Sequence, residues 1–138
     1  MKGISILGLV ILASSSLVQA MTVKEGDITG KTNLIGISQA SVNGTLESVL
    51  TDSSGLSIYT FELDSANVSK CSGSCVSVWP PLHVPAGSAI LAPFGKIKGN
   101  DGQDQLTLDG FPLYHYSADK KPGDAFGQYP KWNVVIVN

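Results

Sequence analysis

The chain has 138 residues, 43% of them hydrophobic and 14% charged, and its nine Lys and eleven acids leave a formal net charge of −2. That length allows one domain, or two small repeats sharing a core. The near balance of charge, with no basic cluster, argues against nucleic acid or an anionic membrane surface as the main partner, and two Cys are too few for a four-thiolate zinc site.

In chain order, the first predicted element is an export leader. Lys2 supplies a positive start, Ile4–Ala13 is a mostly apolar run, and Val18-Gln19-Ala20 has the small residues of a cleavage site. A membrane-spanning helix needs roughly 18 apolar residues or more, so this run is too short to span. Residues 1–20 therefore read as a signal peptide, cleaved after Ala20. No second long apolar run follows, so no membrane span is expected, and no Cys stands where a lipid-accepting Cys would. The expected address is the periplasm or the medium. Disulfides persist there, and Cys71 and Cys75 have one intramolecular pairing open to them.

Residues 21–44, rich in Gly, Ser and Thr, read either as an N-terminal arm or as an edge strand; both stay open. Residues 45–138 carry the main domain. Thr45–Thr51 and Ile58–Leu63 form a predicted hairpin across Asp52-Ser53-Ser54-Gly55. Ser72 or Ser74 is positioned to cap a short helix near Cys75–Trp79, which Pro80 would end. Ile90–Lys98 suggests a loop and one more strand. Gln105–Leu108 and Leu113–Tyr116 form a second predicted hairpin across the turn dipeptide Asp109-Gly110. Val134–Val137 reads as a buried closing strand.

The two hairpins look alike. Tyr59, Phe61 and Asp64 align with Tyr114, Tyr116 and Asp119 at a constant offset of 55 residues. Such self-similarity implies one supersecondary unit used twice, about 45–64 and 105–119. The expected fold is mainly β: two related hairpin units in one compact pseudo-symmetric domain. The cheapest role for Asp64 and Asp119, at the strand ends, is to accept backbone N–H groups of the following turn.

Both units fit Tyr-x-(Phe/Trp/Tyr)-x-x-Asp. Between them stands Ser69-x-Cys71-x-Gly73-x-Cys75-x-x-x-Trp79-Pro80-Pro81-Leu82, and Asp101-Gly102, Gly110-x-Pro112-Leu113-Tyr114 and Pro122-Gly123-Asp124 follow in order. This ordered set, over roughly Thr45 to Val137, resembles the bacterial secreted repeat family, predicted lipoproteins named for that motif. The resemblance implies an exported envelope or secreted protein with no established activity. The missing lipid-accepting Cys departs from the lipoprotein pattern.

Motifs of known chemistry are sparse. There is no Gly-x-Ser-x-Gly elbow, no His-Glu-x-x-His and no phosphate-cradling loop. The expectation is a non-catalytic binding or structural module without a cofactor, its partner an unknown envelope or extracellular component. The main alternative is extracytoplasmic metal handling of copper type, or thiol redox work, through Cys71 and Cys75 with His83 and His115. A third is a hydrolase pairing Asp64 with Asp119. His115, flanked by two strand tyrosines, is expected to be exposed, and His83 to lie on the surface. Tyr59, Phe61, Trp79, Tyr114, Tyr116, Tyr129 and Trp132 supply either the core or an aromatic binding face.

Overall fold

The computed structural model describes residues 20–138. The predicted leader, apart from its last residue, lies outside the described residues. Among the described residues, nine short strands carry the structure: β1 (Thr22–Val23), β2 (Ile35–Val42), β3 (Thr45–Asp52), β4 (Tyr59–Phe61), β5 (Phe94–Lys98), β6 (Asp104–Leu108), β7 (Phe111–Pro112), β8 (Trp132–Val134) and β9 (Ile136–Val137). One-turn helices span Glu25–Ile28 and Cys75–Val78. The strands form three sheets, ordered β1-β9-β3-β2, β4-β8 and β5-β6-β7.

Two hairpins follow from their turn dipeptides. Asn43-Gly44 joins β2 to β3 and Asp109-Gly110 joins β6 to β7, and all four residues have positive φ. That is the pattern of a two-residue turn whose twist matches the strands, and it explains the Asn/Asp-Gly choice. Residues 21–44 thus contain an eight-residue edge strand, paired with β3 from Ile35 opposite Asp52 to Val42 opposite Thr45. The helix at Cys75–Val78 forms where the sequence places it, but Ser74 at its N-cap makes no side-chain bond, and the Cys75 N–H instead donates to the Ser72 carbonyl. Among the described residues no helix is long and apolar enough to cross a membrane.

The repeat is visible as matched backbone bonding. In the first copy Ile58 N–H donates to Leu50 O, and Val135 N–H donates to Ile58 O; in the second Leu113 N–H donates to Leu106 O, and Leu82 N–H donates to Leu113 O. The chain after each Trp is therefore exchanged. Leu82, from the end of the first copy, completes the second copy's hairpin, and Val135, from the end of the second, completes the first. At the centre the copies meet directly: Tyr59 and Tyr114 exchange both N–H···O bonds, at 2.8 and 3.0 Å. These interior strands are buried on both faces, so alternation along them divides two cores rather than core from solvent. Ile58 and Leu113 enter an aliphatic core with Leu50, Leu82, Leu106 and Val135. Tyr59 and Tyr114 enter an aromatic core with Trp79, Trp132 and Cys71.

Candidate functional site

The shared motif converges on that aromatic core. Its two tyrosines are wholly buried, and a buried phenol needs a hydrogen-bond partner. Each finds it in the other repeat. Tyr59 Oη donates to Asp119 Oδ2 at 2.7 Å, and Tyr114 Oη donates to Asp64 Oδ2 at 2.7 Å. Tyr59 Oη also accepts the Gly127 N–H at 3.0 Å, while Ser69 Oγ lies 2.6 Å from Tyr114 Oη. The second oxygen of each carboxylate accepts a backbone N–H from the following loop: Lys70 to Asp64 Oδ1 at 2.6 Å, and Phe126 to Asp119 Oδ1 at 2.9 Å. The loop bonds are of the kind the strand-end position suggests. The reciprocal tyrosine bonds are not legible in either motif alone, although the motif repeats a buried donor and an acceptor together.

The electrostatics follow from this packing. Burial is the largest effect on Asp64, and the Lys70 N–H and Tyr114 hydroxyl offset only part of it, so its pKa is raised above the ordinary value. Burial, with a neighbouring carboxylate, likewise pushes both motif tyrosines far above the ordinary phenol value and keeps them protonated donors.

Around these bonds runs a stack of four rings. Trp79 and Trp132 lie parallel with centroids 3.9 Å apart and planes 1° off parallel. Phe61 stacks on Trp132 at 4.1 Å, and Tyr116 tilts over Trp79 at 4.5 Å. Tyr59 meets Trp79 edge-on at 5.4 Å, as Tyr114 meets Trp132 at 5.1 Å. Most of the aromatic set is thus core. Tyr129 is exposed, and its hydroxyl lies 3.3 Å from that of half-buried Tyr116.

Cys71 and Cys75 form a disulfide with Cα atoms 5.3 Å apart, beside the aromatic core. Asn100, from the second repeat, donates to the Cys71 carbonyl at 2.8 Å and to the Ser69 carbonyl at 3.1 Å. His115 is far less free than its strand position suggests. His115 is only 21% exposed, and its Nε2 lies 2.8 Å from Asp52 Oδ2. It is turned inward because Asp52 waits at the neighbouring turn, where it also accepts the Ser54 and Leu56 N–H groups. His83 is 39% exposed and pairs with Asp101 at 2.6 Å. Among the described residues no group of three or more His, Cys, Asp or Glu side chains converges as a metal site. A cleft of about 720 Å³ is lined by residues that include Thr22–Lys24, Asp27, Pro93 and Asp109, and none of the motif residues borders it.

No curated protein and no solved structure matches the chain. A family model described as a secreted repeat of unknown function matches residues 40–83 and 95–135, one segment for each copy seen in the backbone. Those segments span more than half of the sequence, and the chain belongs to that secreted repeat family.

Proposed function

We propose that the protein is a non-catalytic binding or structural module of the periplasm or the extracellular medium, and that its repeated motif builds the scaffold rather than a reaction centre. One observation carries this reading: every oxygen of the motif carboxylates and both motif phenols are engaged by one another or by backbone N–H groups. A carboxylate working as general acid, base or nucleophile must present an oxygen to substrate. Asp64 and Asp119 are buried and committed to internal partners instead. The closed disulfide and the separate pairing of His83 and His115 favour the same reading over metal or thiol chemistry.

The test uses Asp64→Asn and Asp119→Asn. In a scaffold each lowers the melting temperature, because a buried partner loses its acceptor. In a reaction centre the nearly isosteric amide would leave the melting temperature unchanged. Unchanged melting in both variants overturns the scaffold role. Affinity capture from the bacterial envelope, repeated with the folded wild type as bait, then identifies what the module binds.

A further inference from the structure

The two repeats differ at one equivalent edge. β2 pairs with β3 as β5 pairs with β6: Gly36 sits opposite Thr51 and Gly95 opposite Thr107, Ile37 opposite Leu50 and Lys96 opposite Leu106. Both β2 and β5 end their sheets. β5 is five residues long and carries Lys96 and Lys98, which are exposed and flank Asp104. Lysines on a short edge strand prevent pairing with another chain. β2 is eight residues long, Ile35-Gly36-Ile37-Ser38-Gln39-Ala40-Ser41-Val42, with no charge and no Pro. Where the second repeat has Lys96 and Lys98, the first has Ile37 and Gln39.

The free side of β2 can be read from its neighbour. Leu50 gives its N–H to Val135 and its carbonyl to Ile58, and Asp52 gives its N–H to Leu56, so both turn away from β2. Opposite residues in an antiparallel ladder turn away together. Ile35 and Ile37 therefore point their backbone groups outward, as do Gln39 and Ser41 by alternation. Among the described residues nothing bonds to them.

We propose that the protein self-associates through β2, two copies pairing their β2 strands antiparallel about a two-fold axis at Ser38. In that register Ile35 faces Ser41 of the second copy and Ile37 faces Gln39, so all four outward residues bond. No like charges meet, whereas the same pairing of β5 would set Lys96 against Lys98. A second copy also accounts for Leu46, at 70% the most exposed large apolar side chain among the described residues. Leu46 lies opposite Ser41, and Ser41 opposite Ile35 of the second copy, so all three share a sheet face. The small serine lets the leucine lean across it toward that isoleucine. An unrelated strand would meet the same backbone groups but would not bring an isoleucine to this position by symmetry.

Sedimentation equilibrium between about 10 μM and about 1 mM tests this. The expected mass rises from one chain to two. Gln39→Lys/Ser41→Lys, at exposed positions and copying the lysine of the other repeat, should weaken association at least tenfold with unchanged melting. Ser38→Cys should form a covalent dimer under mild oxidant, because paired residues at the axis lie within disulfide reach; Ser53→Cys, in the turn that follows the Ile35–Asp52 end of the hairpin and well off the axis, should not. A wild-type chain that stays single across the range overturns the proposal, whether or not a different protein occupies the edge. So does a dimer indifferent to the two lysines, or one in which Ser53→Cys links as fast as Ser38→Cys. If the lysine variant does not fold, the cysteine pair decides.

Discussion

The motif tyrosines show how much can rest on a single oxygen. Tyr59→Phe deletes the donor to Asp119 and the acceptor for Gly127 N–H, and leaves both groups buried without that partner. A loss of about 2–3 kcal/mol is expected, measured by urea unfolding against Tyr116→Phe, whose exposed hydroxyl should cost less than about 0.5 kcal/mol. Asp64 adds a pH signature. Its pKa is raised in the fold, chiefly by burial, so between the ordinary carboxylate value and the raised value the folded chain holds more protons than the unfolded one. Its contribution to stability therefore grows as pH falls through that window and shrinks as pH rises. The wild-type chain should gain stability relative to Asp64→Asn on acidification from pH 7. Asp52 behaves oppositely: burial works to raise its pKa, but bonds from Leu56, His115 and Ser54 outweigh it. The advantage of wild type over Asp52→Asn should be full above the ordinary carboxylate value and vanish as pH falls through the depressed one. Parallel urea titrations from pH 7 to pH 3 check both signs.

Among the elements, the loop after each strand matters as much as the strand. Gly127 lies against Tyr59, and a Cβ there would meet the Tyr59 ring at 2.8 and 2.9 Å and Trp79 at 3.0 Å. Gly127→Ala must push apart rings already locked by the stack, and about 1–3 kcal/mol of overpacking is expected in thermal unfolding. This contact also marks how far the sequence could be read. The turn chemistry of Asp109-Gly110, the repeated Tyr, aromatic and Asp positions, and the one-turn helix ending at Trp79-Pro80 are legible because they depend on neighbours in the chain. Asn43-Gly44 carries the same local signal and announces β2, although the Gly- and Ser-rich composition around it hides the strand. The strand faces beyond Ile58 are harder. Period-two alternation assumes one buried side, yet Ile58, Tyr59 and Thr60 are all buried, and Leu63 is exposed where alternation places it with the tyrosine. The inward turn of His115 depends on Asp52, far away in sequence, and has no local mark.

At the scale of the molecule, the disulfide is a local brace and the exchanged strands hold the two copies together. Closing the short loop from Cys71 to Cys75 restricts the unfolded chain little, and Cys71→Ser/Cys75→Ser should cost on the order of 2 kcal/mol while leaving the circular dichroism spectrum unchanged. Loss of folded signal in that variant would give the bridge the larger role. The reciprocal bonds, in contrast, tie halves that neither local propensity nor hydrophobic pattern joins. The crosswise placement of Leu82 and Val135 has a consequence for ancestry. A gene encoding one copy would make a polypeptide whose own final strand could not close its own ribbon, and whose phenol would lack an acid. Such a product reaches a satisfied state by doubling, each molecule lending its tail to its twin, so that fusion of two genes end to end would turn a concentration-dependent pair into a single heritable unit.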